Sequence, residues 1–391
     1  MDITYRIDKD ILYIAAEGRI DASNAAQAEE KIFDIKNANP DKHVVIDADK
    51  LEYISSAGLR VILKLRKEDA GLAIINVAPD VYEVLDMTGF TDMVTVEKAY
   101  QRMSVDGCEF IAKGANGAVY RYDDETIVKT YFAKDALPEI KQERENARRA
   151  FVLGINTAIP YGIVRVGDNY GTVTELLNAV SITKLIRNNP DDLTAAVKYY
   201  VDMLKSIHAI EAQDGELPDM KETALAWANF VSEHIPEAQG QKLRALIEAV
   251  PKQNTLLHGD YHTNNIMVQN GEPLLIDMDT LCMGHPVFEL GSMFNAFVGY
   301  SELNHQNMLD FFGYNFETAG RFWNMALDMY LGIDDEAVRQ SVAEKAMIIG
   351  YTRMLRRAIR RPNEADSPAK ISRCKEMLAI LLNKVDTLSF N

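Results

Sequence analysis

The amino-acid sequence predicts an α/β domain followed by a larger α+β fold of two lobes. Residues 1–100 alternate short β-rich runs with amphipathic helical segments. Residues 101–178 combine several strand patterns with one helix, and residues 179–391 are mostly helical in pattern around one short β-hairpin. We therefore expect three parts with these bounds, and the chain is long enough for each domain to bury its own core.

The composition is that of a water-soluble globular protein. Of the 391 residues, 47% are hydrophobic and 26% are charged. No uninterrupted apolar run approaches the roughly 18–20 residues of a membrane span, and the first residues lack the pattern of a secretory signal. Three widely spaced cysteines predict neither a disulfide scaffold nor a zinc site. The net charge of −16 argues against general nucleic-acid binding, so we expect a cytoplasmic protein without nucleic-acid or membrane partners.

Residues 1–100 contain the elements of an open α/β layer. Helices are expected to begin at Ser23 or Asn24 and at Ser55–Gly58, and Val81–Met87 forms a short third helix. The predicted strands are Thr4–Ile7, Ile11–Ala16, His43–Ile46 (ended by Asp47), Leu72–Val77 and Met93–Val96.

This segment resembles the STAS domain, the fold of bacterial anti-sigma-factor antagonists. The resemblance rests on Gly18–Asp21, Val44–Asp47, Tyr53–Leu59 and Val84–Phe90. It implies a binding or regulatory role, with a regulatory protein as partner, and it puts Ser56 at the position of a regulatory phosphoserine. A helix N-terminus favours an added phosphate, but Ser56 can equally be a simple N-cap. Ser55 and Ala57 replace two residues of the family pattern, Asp and Ser.

The second region is organised around His258–Gly259–Asp260 and the hairpin that follows it. Strands Asn265–Val268 and Pro273–Ile276 flank Asn270–Gly271, a strong hairpin signal. The hairpin would bring Asp260, Asn265 and Asp277 together at its mouth. Phosphoryl transfer needs a carboxylate to accept the proton of a hydroxyl group, and an amide oxygen with a second carboxylate can hold Mg²⁺. These residues can instead cap turns or end a strand.

The stretch resembles the catalytic motif of the aminoglycoside phosphotransferase and choline kinase superfamily, His-Gly-Asp-x-x-x-x-Asn followed by Ile-Asp. The resemblance implies a two-lobed, protein-kinase-like fold that uses ATP and Mg²⁺. It assigns the catalytic proton acceptor to Asp260, the metal ligands to Asn265 and Asp277, and a supporting role in the catalytic loop to His258. Gly284–Leu290 resembles a further family segment, but His285 and Glu289 replace its two acids.

A glycine turn and a lysine strand complete the nucleotide-binding set that the resemblance implies. Phe110–Tyr120 has the pattern strand, glycine turn, strand, in which Gly114, Asn116 and Gly117 would approach the phosphates. Thr126–Tyr131 is a strand with one internal lysine, Lys129, at the spacing of the kinase phosphate-binding lysine.

The helix Glu139–Leu153 is expected to supply the acidic partner of Lys129. Family spacing favours Glu145, with Glu143 as the second choice, although either residue can pair on the surface with nearby arginines. The strand ending near Leu177 would enter the hinge between the lobes, where the backbone of Glu175 and Leu177 would bind adenine.

The C-terminal pattern, Leu309–Leu388, is helical and contains five arginines between Arg353 and Arg361. They form either a solvated helix face or an electrostatic grip on an anionic substrate or an acidic protein.

Three functions fit the sequence. The first is an ATP- and Mg²⁺-dependent phosphotransferase that moves the γ-phosphate to a hydroxyl acceptor, a small molecule, with the STAS domain as regulator. The second is a kinase for a protein serine, such as Ser56. The third is an inactive nucleotide-binding scaffold of the anti-sigma-factor-antagonist type.

Overall fold

A computed structural model describes residues 1–114 and 116–390 of the chain. The chain divides into two compact units. The first contains Met1–Ser104 together with Val164–Gly167, and the second contains Val105–Ile163 and the chain from Asp168 onward. Each unit has its own hydrophobic core.

The first unit is built on a five-stranded sheet in sequential order. The first two strands are antiparallel and the remaining neighbours are parallel. The strands are β1 (Asp2–Asp8), β2 (Ile11–Ile20), β3 (His43–Ile54), β4 (Ala73–Val77) and β5 (Thr95–Lys98), and the helices are α1 (Ala25–Asn37), α2 (Ser56–Glu68), α3 (Pro79–Met87) and α4 (Phe90–Met93). A short strand β6 (Gln101–Met103) pairs in parallel with Val164–Val166, also in this unit. The α/β alternation predicted for residues 1–100 is confirmed.

The predicted end of the third strand at Asp47 is wrong. β3 continues to Ile54 because Ala48, Leu51 and Ile54 extend its buried face. The carboxylate of Asp47 does not end the strand but accepts a hydrogen bond of 2.9 Å from the side-chain amide of Asn76.

The second unit begins with a small lobe formed by a β-sheet and one long helix. Its strands are hydrogen-bonded in the order β10-β11-β9-β8-β7. The strands are β7 (Glu109–Lys113), β8 (Gly117–Arg121), β9 (Thr126–Tyr131), β10 (Pro160–Val166) and β11 (Asn169–Glu175), and the helix is α5 (Leu137–Val152). The strand, turn, strand and lysine-strand pattern of the sequence is confirmed, with Lys129 in β9.

The large lobe is mainly helical, as the sequence predicts. Its short strands are β12 (Val180–Ser181), β13 (Leu256–Leu257), β14 (Ile266–Gln269), β15 (Glu272–Leu275) and β16 (Cys282–Met283). Its helices are α6 (Ile182–Asn188), α7 (Thr194–His208), α8 (Met220–Ser232), α9 (Glu237–Glu248), α10 (Val287–Phe294), α11 (Gln306–Phe312), α12 (Phe316–Leu331), α13 (Glu336–Arg360) and α14 (Ser367–Lys384). A π-helical turn, Asn295–Gly299, extends α10. None of the helices within the described residues is both long and apolar enough to cross a membrane.

Candidate active site

The hairpin of β14 and β15 brings two of the predicted metal ligands to one end. Asn270 and Gly271 both have positive φ (52° and 82°), as the two central residues of a type I′ turn require. At the open end, the backbone N–H of Ile276 donates to the carbonyl of Asn265 at 2.9 Å. Asn265 and Asp277 therefore lie at adjacent positions on the two arms.

The oxygen atoms of these two side chains are available for a cation. The Asn265 amide donates to the backbone carbonyl of Asp260 at 3.1 Å, which uses its nitrogen and leaves its oxygen unbonded within the described residues. Asp277 is exposed and has φ +66°, a left-handed conformation that Asp tolerates better than most residues. Within residues 1–114 and 116–390, no hydrogen bond reaches its carboxylate.

Asp260 presents a partly exposed, ionised carboxylate. Its side chain is 47% exposed and lies 3.5 Å from Nε2 of His262. Partial burial would raise the pKa of Asp260, but the neighbouring His262 and Arg353 outweigh that effect and lower it. An ionised carboxylate at this position can accept a hydrogen bond from a hydroxyl group.

The buried ring of His258 supports the loop by contacting backbone groups of Asp260 and Ile276. The ring is fully buried, its Nδ1 accepts the backbone N–H of Asp260 at 3.2 Å, and its Nε2 lies 3.1 Å from the carbonyl of Ile276. These partners assign the proton to Nε2. Burial lowers the pKa of His258, so the ring is neutral at pH 7. Both nitrogens bind backbone, which makes His258 a positioning residue for Asp260 and for the strand that leads to Asp277.

Glu289 is a second support of the loop, to which the sequence assigned no role. Its carboxylate, from α10, is only 1% exposed and accepts the backbone N–H groups of His258 and Gly259. Burial raises the pKa of Glu289 to about 7. The sequence did contain one indication of this role: Glu289 stands where the family segment has an acid, although with a different acidic residue.

The position of Gly259 in this loop requires glycine. Its φ is +81°, and a Cβ atom there would lie 2.5 Å from the carbonyl oxygen of Thr280. The carbonyl of Gly259 accepts hydrogen bonds from Ser292 (3.1 Å) and from the guanidinium of Arg353 (3.2 Å). Arg353, the first arginine of the C-terminal run, therefore contacts the loop that carries Asp260 and is not part of a simple solvated face.

Lys129 is paired with Glu143, so the prediction that Glu145 is its partner is wrong. The Lys129 ammonium lies 2.7 Å from Glu143, whose other oxygen accepts the hydroxyl of Tyr131, also at 2.7 Å. Glu145 instead binds Arg148 and Arg149. Two residues along a helix correspond to about 200° of rotation, so only one of the two glutamates can face β9.

Lys129 is under the electrostatic influence of a carboxylate of the large lobe, Asp277. Burial would lower the pKa of Lys129, but the charges of Glu143 and, to a smaller extent, Asp277 raise it. Asp279 belongs to the same group: partial desolvation and repulsion from Asp277 raise the pKa of Asp279 to about 6. Lys129, Asp277 and Asp279 therefore influence one another electrostatically within the second unit, and Asn265 lies next to Asp277 on the facing arm of the hairpin.

Asn146 joins α5 to this group. It is 3% exposed, and its amide donates to the carbonyls of Met278 (3.0 Å) and Asp279 (3.4 Å). Gln142 donates in turn to its oxygen at 2.8 Å. The helix that carries Glu143 is therefore bonded to the loop that follows Asp277.

The glycine turn connects β7 and β8. The N–H of Gly114 donates to the carbonyl of Gly117 at 2.9 Å, and the carbonyl of Asn116 accepts from Phe132 at 3.0 Å; Ala115 lies outside the described residues. At Gly117 a Cβ atom would lie 2.2 Å from the carbonyl oxygen of Thr130. Packing against β9 is thus sufficient to require glycine at Gly117, independently of any phosphate.

At the hinge, the two predicted adenine-binding residues differ in whether their backbone N–H group already has a hydrogen-bond partner. The N–H of Glu175 already donates to the carbonyl of Ile159 at 3.0 Å. The N–H of Leu177 has no backbone partner in the described part of the chain. The N–H of Leu177 is therefore available to bind a nucleotide base, whereas the N–H of Glu175 is already used.

In the first unit, Ser56 is exposed and is the first residue of α2. The alternative that Ser56 is the N-cap is wrong, because Ser55 has that position and its hydroxyl accepts the N–H of Gly58 at 3.5 Å. No hydrogen bond to the Ser56 hydroxyl occurs among the described residues.

The donor set fits Mg²⁺ held jointly with a phosphate group. Within residues 1–114 and 116–390, no group of three His, Cys, Asp or Glu side chains is arranged to hold a metal ion. Mg²⁺ usually takes only one or two carboxylates from a nucleotide-binding protein, together with phosphate oxygens. Asp277 and the amide oxygen of Asn265 offer hard oxygen ligands of that kind.

A cavity of about 640 Å³ opens beside Asp260. Its wall is formed by the catalytic loop, the π-helical turn, α11, α13 and the segment that leads into α14. The cavity is large enough for a small organic molecule.

Comparison with known proteins assigns both parts of the chain. Residues 107–315 match the model of the phosphotransferase enzyme family APH, and residues 2–103 match that of the STAS domain. A candidate anti-sigma factor antagonist of Bordetella bronchiseptica, BtrV, is 33% identical over 90 residues, which are 22% of this chain and 77% of BtrV.

Solved structures are similar to each part. The ADP-bound aminoglycoside phosphotransferase APH(2'')-Ib is 14% identical, with a TM-score of 0.48, over 77% of this chain and 98% of its own. The structure of a candidate anti-sigma factor antagonist from Thermotoga maritima covers 25% of this chain and 86% of its own at 22% identity and a TM-score of 0.24. The chain thus belongs to the APH phosphotransferase enzyme family and carries a STAS domain at its N-terminal end.

Proposed function

We propose that the protein transfers the γ-phosphate of ATP to a hydroxyl group of a small molecule in a Mg²⁺-dependent reaction. The observation that supports it most directly is the 2.7 Å ion pair between Lys129 and Glu143, together with the charge of Asp277, which raises the pKa of Lys129. This set of charged residues counts against the third function, an inactive nucleotide-binding scaffold, because a scaffold does not require groups for phosphate transfer.

Each residue has a role that follows from its contacts. The Lys129 ammonium, held by Glu143, binds the α- and β-phosphates, and the turn from Gly114 to Gly117 covers them. The N–H of Leu177 and the carbonyl of Glu175 bind adenine. Asn265 and Asp277 would hold Mg²⁺, which neutralises charge on the phosphates when it is bound.

Asp260 acts on the acceptor. Its carboxylate accepts a hydrogen bond from the acceptor hydroxyl, orients one lone pair of that oxygen toward the γ-phosphorus, and takes the proton as the new P–O bond forms. The bond from the γ-phosphorus to its bridging oxygen breaks and ADP leaves. Glu289 keeps the loop in place by accepting the backbone N–H groups of His258 and Gly259, and the His258 ring does so by accepting the N–H of Asp260.

The cavity beside Asp260 favours a small acceptor, because its volume of about 640 Å³ suits a single small molecule. The test is a screen of small hydroxyl compounds coupled to ADP detection, combined with calorimetric titration of a non-hydrolysable ATP analogue with and without Mg²⁺. We expect Mg²⁺-dependent nucleotide binding and at least one compound that stimulates ADP release. A protein that binds no nucleotide in the presence of Mg²⁺ would contradict the proposal.

A protein serine is the second candidate acceptor, and the exposure of Ser56 without a hydrogen-bond partner favours it. In this case the STAS domain, its own or that of a regulatory protein, is the substrate. Incubation with labelled ATP followed by mass spectrometry separates the two candidates, because label on Ser56 supports protein phosphorylation. In the first candidate the STAS domain regulates transfer and binds a regulatory protein. Ser56→Asp imitates the charge of a phosphoserine and should then alter turnover of the small-molecule acceptor by the full chain, whereas Ser56→Ala should not.

A further inference from the structure

The wall of the acceptor cavity carries two arginines that form no ion pair with a carboxylate within the described residues. Arg353 and Arg357 both line the cavity together with Asp260. In the described part of the chain, neither arginine forms an ion pair with an Asp or Glu side chain. Cationic groups that lie in a concave site without a counter-ion attract an anion from solution.

The other charges of the cavity are already paired. Lys370 lies 2.6 Å from Asp366, and Glu364 accepts from Arg361 at 3.2 Å. Asp260 is the remaining carboxylate of the wall, and the proposed mechanism uses it for the acceptor hydroxyl. Once these two ion pairs are set aside, Arg353 and Arg357 outnumber the single remaining carboxylate, Asp260, although the whole chain is acidic with a net charge of −16.

Arg353 and Arg357 are held where one ligand can meet both. They are four residues apart on α13, so they lie one turn apart on the same face. Arg353 is half-buried, and Gly259 and Ser292 fix its Nη1. Arg357 is exposed, and its guanidinium lies 5.7 Å from the ring centroid of Tyr300. Guanidinium groups match the planar carboxylate and the tetrahedral phosphate through paired N–H donors.

We propose that the acceptor is a small hydroxylated organic anion, a carboxylate or phosphate ester, whose anionic group binds Arg357 and Arg353 while its hydroxyl meets Asp260. The proposal rests on the proposed function and adds the charge class of the substrate. Asn295, Ser301 and Asn307 line the same cavity and offer hydrogen bonds to further hydroxyl groups.

The test uses three compounds with one carbon skeleton: glycerol 3-phosphate, glycerol and 3-amino-1,2-propanediol. Binding to the full chain is measured by calorimetry in the presence of Mg²⁺ and a non-hydrolysable ATP analogue, so that the nucleotide site is already filled. We expect the anion to bind at least about tenfold more tightly than the neutral compound, and the cation to bind least tightly. Raising the salt concentration should weaken binding of the anion.

The variants are Arg357→Gln and its matched control Arg360→Gln, an exposed arginine of the same helix that does not line the cavity. Arg357→Gln should weaken binding of glycerol 3-phosphate by about tenfold, and Arg360→Gln should leave it unchanged. Equal affinity for the three compounds, a preference for the amine, or equal behaviour of the two variants would overturn the proposal.

The same experiment separates this proposal from the proposed function. If the ATP analogue does not bind with Mg²⁺, the phosphotransferase assignment fails. If the analogue binds but the screen finds a cationic or neutral acceptor with an unchanged KM in Arg357→Gln, only the charge class is wrong.

Discussion

The side-chain amide of Asn146 donates a hydrogen bond of 3.0 Å to the carbonyl of Met278. This bond joins α5, which holds Glu143 against Lys129, to the residue that follows Asp277. The elements that carry Lys129's partner Glu143 and Asp277 are thus joined by a buried polar contact between the two lobes of the second unit.

Asn146→Ala should therefore weaken binding of Mg²⁺-nucleotide, although it leaves Lys129 and Asp277 themselves unchanged. The substitution leaves the Met278 carbonyl without its donor, which costs about 1–3 kcal/mol when the group stays buried. We expect a lower midpoint in denaturant and a higher Kd for an ATP analogue. Gln142→Ala is the control, since it removes only the donor to Asn146, and it should have a smaller effect on both measurements.

The pairing of Lys129 with Glu143 predicts different effects for two neighbouring glutamates. Glu143→Gln removes the charge that holds the lysine ammonium and should lower kcat/KM for ATP by about tenfold to a hundredfold. Glu145→Gln removes only exposed pairs with arginines and should leave kcat/KM nearly unchanged. Steady-state kinetics of both variants tests this, and a larger loss in Glu145→Gln would contradict the assignment.

Much of the catalytic loop could be predicted because its residues are close in sequence. The turn residues Asn270 and Gly271 indicate the hairpin, and the hairpin places Asn265 and Asp277 at one end whatever the rest of the fold does. The roles of Glu289 and Arg353 could not be predicted in this way. Their partners in the loop are about 30 and 94 residues away in the chain, and only tertiary packing brings them together.

The choice between Glu143 and Glu145 failed for a related reason. Family spacing counts residues along the chain, whereas the side of the helix that faces β9 depends on helical phase, which a shift of two residues almost reverses. At α2 the sequence also could not distinguish two adjacent serines. The N–H of Gly58 donates to the hydroxyl of Ser55, and this contact identifies Ser55, and not Ser56, as the cap.

Gly259→Ala should disrupt the catalytic loop. A Cβ atom would lie 2.5 Å from the carbonyl of Thr280, and φ is +81°. We expect a loss of stability of about 1–3 kcal/mol and a large loss of activity. Gly320→Ala is the control, because nothing lies within 4 Å of its added Cβ in α12; it should keep full activity. Circular dichroism melting curves and turnover of both variants provide the measurement.

Burial of Glu289 predicts a pH-dependent stability. Its pKa is raised by burial to about 7 from 4.5, so the folded state binds more protons than the unfolded state between these values. The stability contributed by this group is complete below pH 4.5 and is lost as pH rises through about 7, with a magnitude of up to about 3 kcal/mol. Urea unfolding of wild type and Glu289→Gln at several pH values tests this. The free energy of unfolding of the wild type should fall more steeply with pH in that window, and parallel profiles would show that Glu289 does not titrate there.

Asp260→Asn separates chemistry from binding. The amide keeps the size of the side chain but cannot accept the proton of the acceptor hydroxyl, so phosphate transfer should fall by at least about a hundredfold. Asp260 is not assigned to the nucleotide or to Mg²⁺, so the Kd of an ATP analogue should change by less than about threefold. Turnover and calorimetric titration on the same preparation give both values. A variant that loses nucleotide binding together with transfer would place Asp260 among the groups that hold the metal-nucleotide complex, and the proton acceptor would then have to be sought in the cavity beside it, where His262 is the nearest titratable group.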